Sequence, residues 1–118
     1  MNHPISAEYV LGYFPELHDL VAARPASWTF HPTFDAEGGL QSVALNRMTE
    51  EYTDSFFVVD RTHVVATRTL HGNKNGGCVW SRQGADMTEI AAELSALPEP
   101  GTPGAPTTVL SDLLWSPE

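Results

Sequence analysis

The chain has 118 residues with a net charge of −9, and 42% of the residues are hydrophobic, which fits a single domain that can bury its own core. One cysteine excludes an internal disulfide framework and favours a reducing compartment. The acidic balance argues against binding to nucleic acid or to an anionic membrane surface, both of which need clustered Lys and Arg.

The first predicted element is a helical region over residues 6–24. Ser6 is a suitable N-cap, and the apolar residues after it recur at helical spacing. Pro15 interrupts this pattern but is well tolerated in the first turn of a helix. The sequence therefore predicts two short helices or one kinked helix.

A strand is predicted over residues 28–34, which alternate between aromatic and polar side chains. Pro32 places this strand at an edge or a bulge, because proline cannot donate to a ladder. A weaker strand follows at 40–48. The strongest β signal is the pair 56–59 and 64–66, which is apolar on both faces and predicts a central hairpin covered on both sides.

The turn pattern at 73–77 leads into a last strand over 78–82. A helix is predicted over 86–97, with Asp86 and Glu89 as a capping pair. The predicted fold class is therefore α+β: one antiparallel sheet of four to five strands, flanked by an N-terminal kinked or double helix and a C-terminal helix.

Residues 1–97 are expected to form this domain, and the Pro/Gly-rich residues 98–106 an extended linker. Residues 107–118, here called the tail, are unusually apolar for a chain end. We expect the tail to dock on its own sheet, on a second copy to give a homodimer, or on a protein partner. The docking side chains would be Leu110, Leu113, Leu114 and Trp115.

Few residues are candidates for metal binding, catalysis or a ligand pocket. No two of the five histidines have the close spacing of a local zinc site, so we expect no metal and no cofactor. Cys78 with His63, or alternatively with His71, is the pair that a small enzyme would use as a thiolate nucleophile, although a lone cysteine is more often a buried hydrophobe. Trp28, Phe30, Phe34 and Trp80 predict either core or, together with His63 and Cys78, a small-molecule pocket.

These patterns favour a non-enzymatic protein-binding module of a regulatory, chaperone-like or immunity and inhibitor type. The protein partner would be basic, since the chain is acidic. The alternatives are a small-molecule-binding or sensor domain and, third, a small enzyme. No signal-peptide pattern and no membrane-length apolar run is present, so we expect a cytoplasmic protein of a bacterial type that binds neither membrane nor nucleic acid.

If the tail docks, Trp115→Ala should lower the free energy of unfolding by about 3 kcal/mol, the usual loss for a fully buried tryptophan. Denaturant unfolding of the full chain measures this loss. A variant that unfolds at the same denaturant concentration as the parent would show that Trp115 is not buried.

Overall fold

The computed structural model describes residues 7–23, 28–72 and 77–107. The fold is α+β, as predicted from the sequence. The helices are α1 (Ala7–Tyr13), α2 (His18–Ala23) and α3 (Met87–Ala96), and a 3-10 turn (Pro15–Leu17) lies between α1 and α2. The strands are β1 (Trp28–Phe34), β2 (Leu40–Met48), β3 (Tyr52–Asp60), β4 (His63–Leu70) and β5 (Cys78–Gly84).

Pro15 divides the first helical region, as its missing N–H requires. It opens the 3-10 turn, and α2 begins directly after Leu17. Of the two predicted alternatives, the structure has two short helices and not one kinked helix. Likewise, the Asp86 carboxylate accepts a hydrogen bond from the Glu89 N–H at the start of α3, as the capping pattern predicted.

The five strands form one antiparallel meander in the order β1-β2-β3-β4-β5. Each strand pairs with the next one along the chain, so β1 and β5 are the two edges. Pro32 lies in β1 and therefore at an edge of the sheet, one of the two positions that the sequence predicted for it. The predicted turn at 73–77 falls mostly on residues outside the described ones.

The core lies on one face of this sheet. Leu45, Phe56 and Ala66 are opposite one another on β2, β3 and β4, and all three have no exposed surface. Burying a side chain as large as Phe56 contributes about 1.5–3 kcal/mol. The helices cover this face, since their buried side chains belong to the same cluster: Val10, Leu17, Leu20, Val21, Ile90, Ala91 and Leu94.

Three charged side chains are buried in the same layer. Arg47, Asp54 and Arg68 are opposite one another on β2, β3 and β4, and their side chains are 8%, 5% and 2% exposed. The Asp54 carboxylate accepts bonds from Arg68 Nε at 2.6 Å, Arg68 Nη2 at 2.9 Å and Arg47 Nη1 at 3.2 Å. Ion pairs this deep persist because each charge is paired and hydrogen-bonded.

The two arginines also hold the chain that follows α3. Arg68 Nη1 donates to the Pro98 carbonyl oxygen and Arg47 Nη2 to Glu99 Oε1, each at 2.6 Å. Residues 99–105 then form two successive turns, closed by Thr102 N–H to Glu99 O and Ala105 N–H to Thr102 O. The expected extended linker is therefore a folded segment, because glycines at 101 and 104 adopt the positive φ that these turns need.

We expect Asp54→Ala to lower the free energy of unfolding by about 3–5 kcal/mol, since it leaves two buried arginines without their shared carboxylate. Glu99→Gln should cost no more than about 1 kcal/mol, as the Glu99 side chain is 40% exposed and solvent screens its pairing with Arg47. Urea unfolding of both variants tests this order. Equal losses would contradict a central role for Asp54.

Candidate functional site

The structure does not bring the predicted aromatic pocket together. Trp28 and Phe30 are on β1 and Trp80 is on β5, the opposite edges of the sheet. Four strand spacings separate these edges, roughly 19 Å. Trp28 belongs to the core, and Phe30 and Trp80 are partly buried against it. These side chains therefore act as core residues at two separate places.

His63 and Cys78 also lie apart. His63 begins β4, whereas Cys78 is paired with Thr69 near the other end of that strand. Six residues of β-strand separate the two levels, roughly 20 Å. The Cys78 thiol instead donates to the Trp80 carbonyl oxygen at 3.3 Å. Within residues 7–23, 28–72 and 77–107, no group of three His, Cys, Asp or Glu side chains is placed to hold a metal ion.

Two surface clefts formed by described residues are lined by none of the six residues predicted for a pocket. One, of about 340 Å³, lies between Glu16, Arg61 and the start of α3 at residues 85–88. The other, of about 290 Å³, lies between the β2–β3 turn, residues 49–52, and residues 100–101. The first is lined mainly by polar groups and the second equally by polar and apolar groups, and neither contains a paired nucleophile and base.

The face of the sheet opposite the helices is the most distinctive surface. We call it the open face. Its central row, in register across all five strands, is His31, Ala44, Phe57, Val65 and Gln83. The rest of the open face is Thr29, Thr33, Ser42, Asn46, Met48, Thr53, Ser55, Thr67, Thr69 and Ser81.

Among the described residues, none on the open face is Asp, Glu, Lys or Arg, although the chain contains 21 such residues. Two large apolar side chains are accessible on it: Phe57 is 42% exposed and Met48 is 71% exposed. The hydroxyl and amide groups around them bond to one another, as Ser55 Oγ does to Asn46 Oδ1 at 2.8 Å. The described helices therefore leave one face of the predicted central hairpin accessible.

Acidic residues lie in turns at both ends of this surface. Asp35 and Glu37 lie in the β1–β2 turn, Asp60 at the β3–β4 turn, and Glu50 and Glu51 in the β2–β3 turn at the other end. Hydrogen bonds from the Thr62 backbone N–H and hydroxyl lower the pKa of Asp60. That carboxylate therefore stays ionised at more acidic pH than an ordinary aspartate does.

A second exposed group, the aromatic cluster, lies on the helix side of the sheet. It consists of Tyr9, Tyr13 and Phe34, with ring centroids 5.3 Å apart for the two tyrosines and 6.4 Å apart for Tyr9 and Phe34. A hydrogen bond with Tyr13 raises the pKa of Tyr9. Phe34 is 46% exposed, nearly the same as Phe57, but on the other side of the sheet.

The sequence did not lead us to the buried ion pairs, although a signal for them was present. The strand predicted at 56–59 leaves out Asp54, which lies inside β3 and is 4% exposed. Asp54 continues the two-residue period of the core positions Phe56 and Val58, and strand alternation alone would have placed it on the core face. Phe57 was likewise predicted only as part of an apolar run.

The predicted docking residues Leu110, Leu113, Leu114 and Trp115 lie outside the described residues. No helix in the described part of the chain is long and apolar enough to cross a bilayer. Comparison with protein-family models, with curated proteins and with solved structures finds no significant match.

Proposed function

We propose that this chain is a non-enzymatic protein-binding module and that the open face is its binding surface. The observation that carries the proposal is the absence of charge from a sheet face that exposes Phe57 and Met48, in a chain of net charge −9. The centres of protein interfaces are depleted of charged residues and enriched in aromatic side chains and methionine. An exposed apolar centre with a polar surround fits the same description.

The acidic turns define the chemistry of the partner. From strand spacing and rise, the open face measures roughly 20 Å by 20 Å. This is about half of the roughly 800 Å² that a standard interface buries on each partner. The turns with Glu50, Glu51 and Asp60 complete the contact as a charged rim. The partner therefore presents an apolar centre surrounded by Lys and Arg, as a basic effector bound by a regulatory or inhibitory protein would.

Phe57→Glu tests the surface, and Phe34→Glu is its matched control. Both variants replace a half-exposed phenylalanine, on opposite sides of the sheet. The tagged parent chain is used to purify its partner from cells that produce both proteins. We expect Phe57→Glu to weaken binding by at least about tenfold, since a central aromatic residue contributes more than 1 kcal/mol, and Phe34→Glu to bind as the parent does.

Melting temperatures of both variants show that each is folded. Loss of the partner by Phe34→Glu alone would move the binding surface to the aromatic cluster. Unchanged binding by both variants would refute the open face as the binding surface.

The acidic rim should act mainly on the rate of association. We expect the association rate with the purified partner to fall as salt rises, because steering by exposed charges is screened over about 8 Å at physiological ionic strength. The dissociation rate should change much less. Stopped-flow or surface-plasmon measurements across a salt series test this, and an association rate indifferent to salt would contradict a basic rim on the partner.

A further inference from the structure

The tail begins at a fixed point of the structure. Arg68 holds the Pro98 carbonyl, and the turns that follow bring the chain back, so that a Cβ added to Gly104 would lie 3.8 Å from Pro98 Cγ. Thr107, the last described residue, is three residues further, within roughly 10 Å of Gly104. The tail therefore starts at the end of the sheet that carries the β2–β3 turn.

The open face is within reach of this point. Phe57 is five residues along β3 from Tyr52 at that end, roughly 17 Å. To reach the open face, the tail must also pass round the end of the sheet, which adds half of a layer that is about 10 Å thick. The path from the start of the tail to Phe57 is therefore on the order of 25 Å. Residues 108–118 span up to roughly 36 Å when extended, and Trp115 is reached after about 26 Å.

The composition of the tail matches this surface. Five of the seven residues from 109 to 115 are Val, Leu or Trp, a content that is costly to leave in water. On the helix side, the core is already covered by α1, α2 and α3. The aromatic cluster with Phe34 lies by the β1–β2 turn, at the opposite end of the sheet from the start of the tail. The open face is therefore the accessible apolar surface nearest to the start of the tail.

We propose that residues 108–118 occupy the open face of their own molecule, so that a partner must displace them to bind. The regulatory part of this inference rests on the proposed function of the open face. The tail of the same molecule is favoured over that of a second copy because a short tether gives an effective concentration in the millimolar range. Even a weak contact between tail and sheet then lowers the apparent affinity for the partner by the fraction of molecules that are uncovered.

Paramagnetic relaxation in the full chain tests the position of the tail. Ser116→Cys with Cys78→Ser places one spin label beside Trp115 and removes the native thiol. We expect the amide signals of Ala44, Phe57 and Val65 to lose at least about half of their intensity, since a millimolar effective concentration populates the docked state. The amides of α3, behind the sheet, should lose much less.

Two further variants in the labelled chain serve as matched controls. Phe57→Glu places a charge at the centre of the open face and should restore the signals of Ala44 and Val65, whereas Phe34→Glu should leave the broadening unchanged. Stronger broadening at α3 than at Val65, or no broadening at either place, would overturn the inference.

Mixing spin-labelled chain with unlabelled, nitrogen-15-enriched chain separates the two possible sources of the tail. Broadening in the enriched copy would show that the tail crosses to a second molecule, and would overturn docking within one chain. The outcome is independent of the proposed function. Suppose that Phe57→Glu abolishes partner binding but the spin label does not broaden the open-face signals. The open face would then remain the binding surface, and the proposal that the tail covers it would be refuted.

Discussion

The carboxylate of Asp54 is the point on which the central sheet and the chain after α3 both depend. It neutralises arginines from the strands on either side, and those arginines in turn hold Pro98 and Glu99. A slip of one residue in either hairpin would turn these charges to the opposite face and separate them. The ion pairs thus specify the same register as the apolar rows beside them, and they fix where the tail begins.

The two faces of the sheet differ in the charged side chains that they carry. The charged side chains within the sheet, on Arg47, Asp54, Arg68 and Arg82, are on the helix face, where each is paired, and Asp60 ends β3. Exposed acidic side chains lie in the turns and on the helices, outside the residues that form the open face. Some polar side chains of the open face already bond to one another or to backbone, as Ser55 and Thr29 do, and these can lose their water at little cost. Polar side chains that can be desolvated at low cost suit the protein interface proposed above, whereas a structural core has no need of them.

Local signals predicted the elements well. The break at Pro15, the cap at Asp86 and the edge position of Pro32 each follow from the chemistry of one residue, so the α+β class and the helix pair could be read from the sequence. Relations between strands could not. That His63 and Cys78 lie at opposite ends of the β4–β5 pair depends on register, and that Phe57 is exposed while Phe56 is buried depends on which face the helices cover. Both require the tertiary arrangement.

The order of the elements along the chain has a consequence for synthesis. Because every strand pairs with its sequence neighbour, each hairpin can form as soon as its second strand has been made. The helix layer, by contrast, is completed only by α3, which packs on α2, the 3-10 turn, β4 and β5. A nascent chain that ends before Met87 therefore carries a finished sheet with an incompletely covered core. During that interval Val64 and Ala66 on β4 are available to chaperones and to neighbouring nascent chains, and the emergence of ten residues of helix ends it.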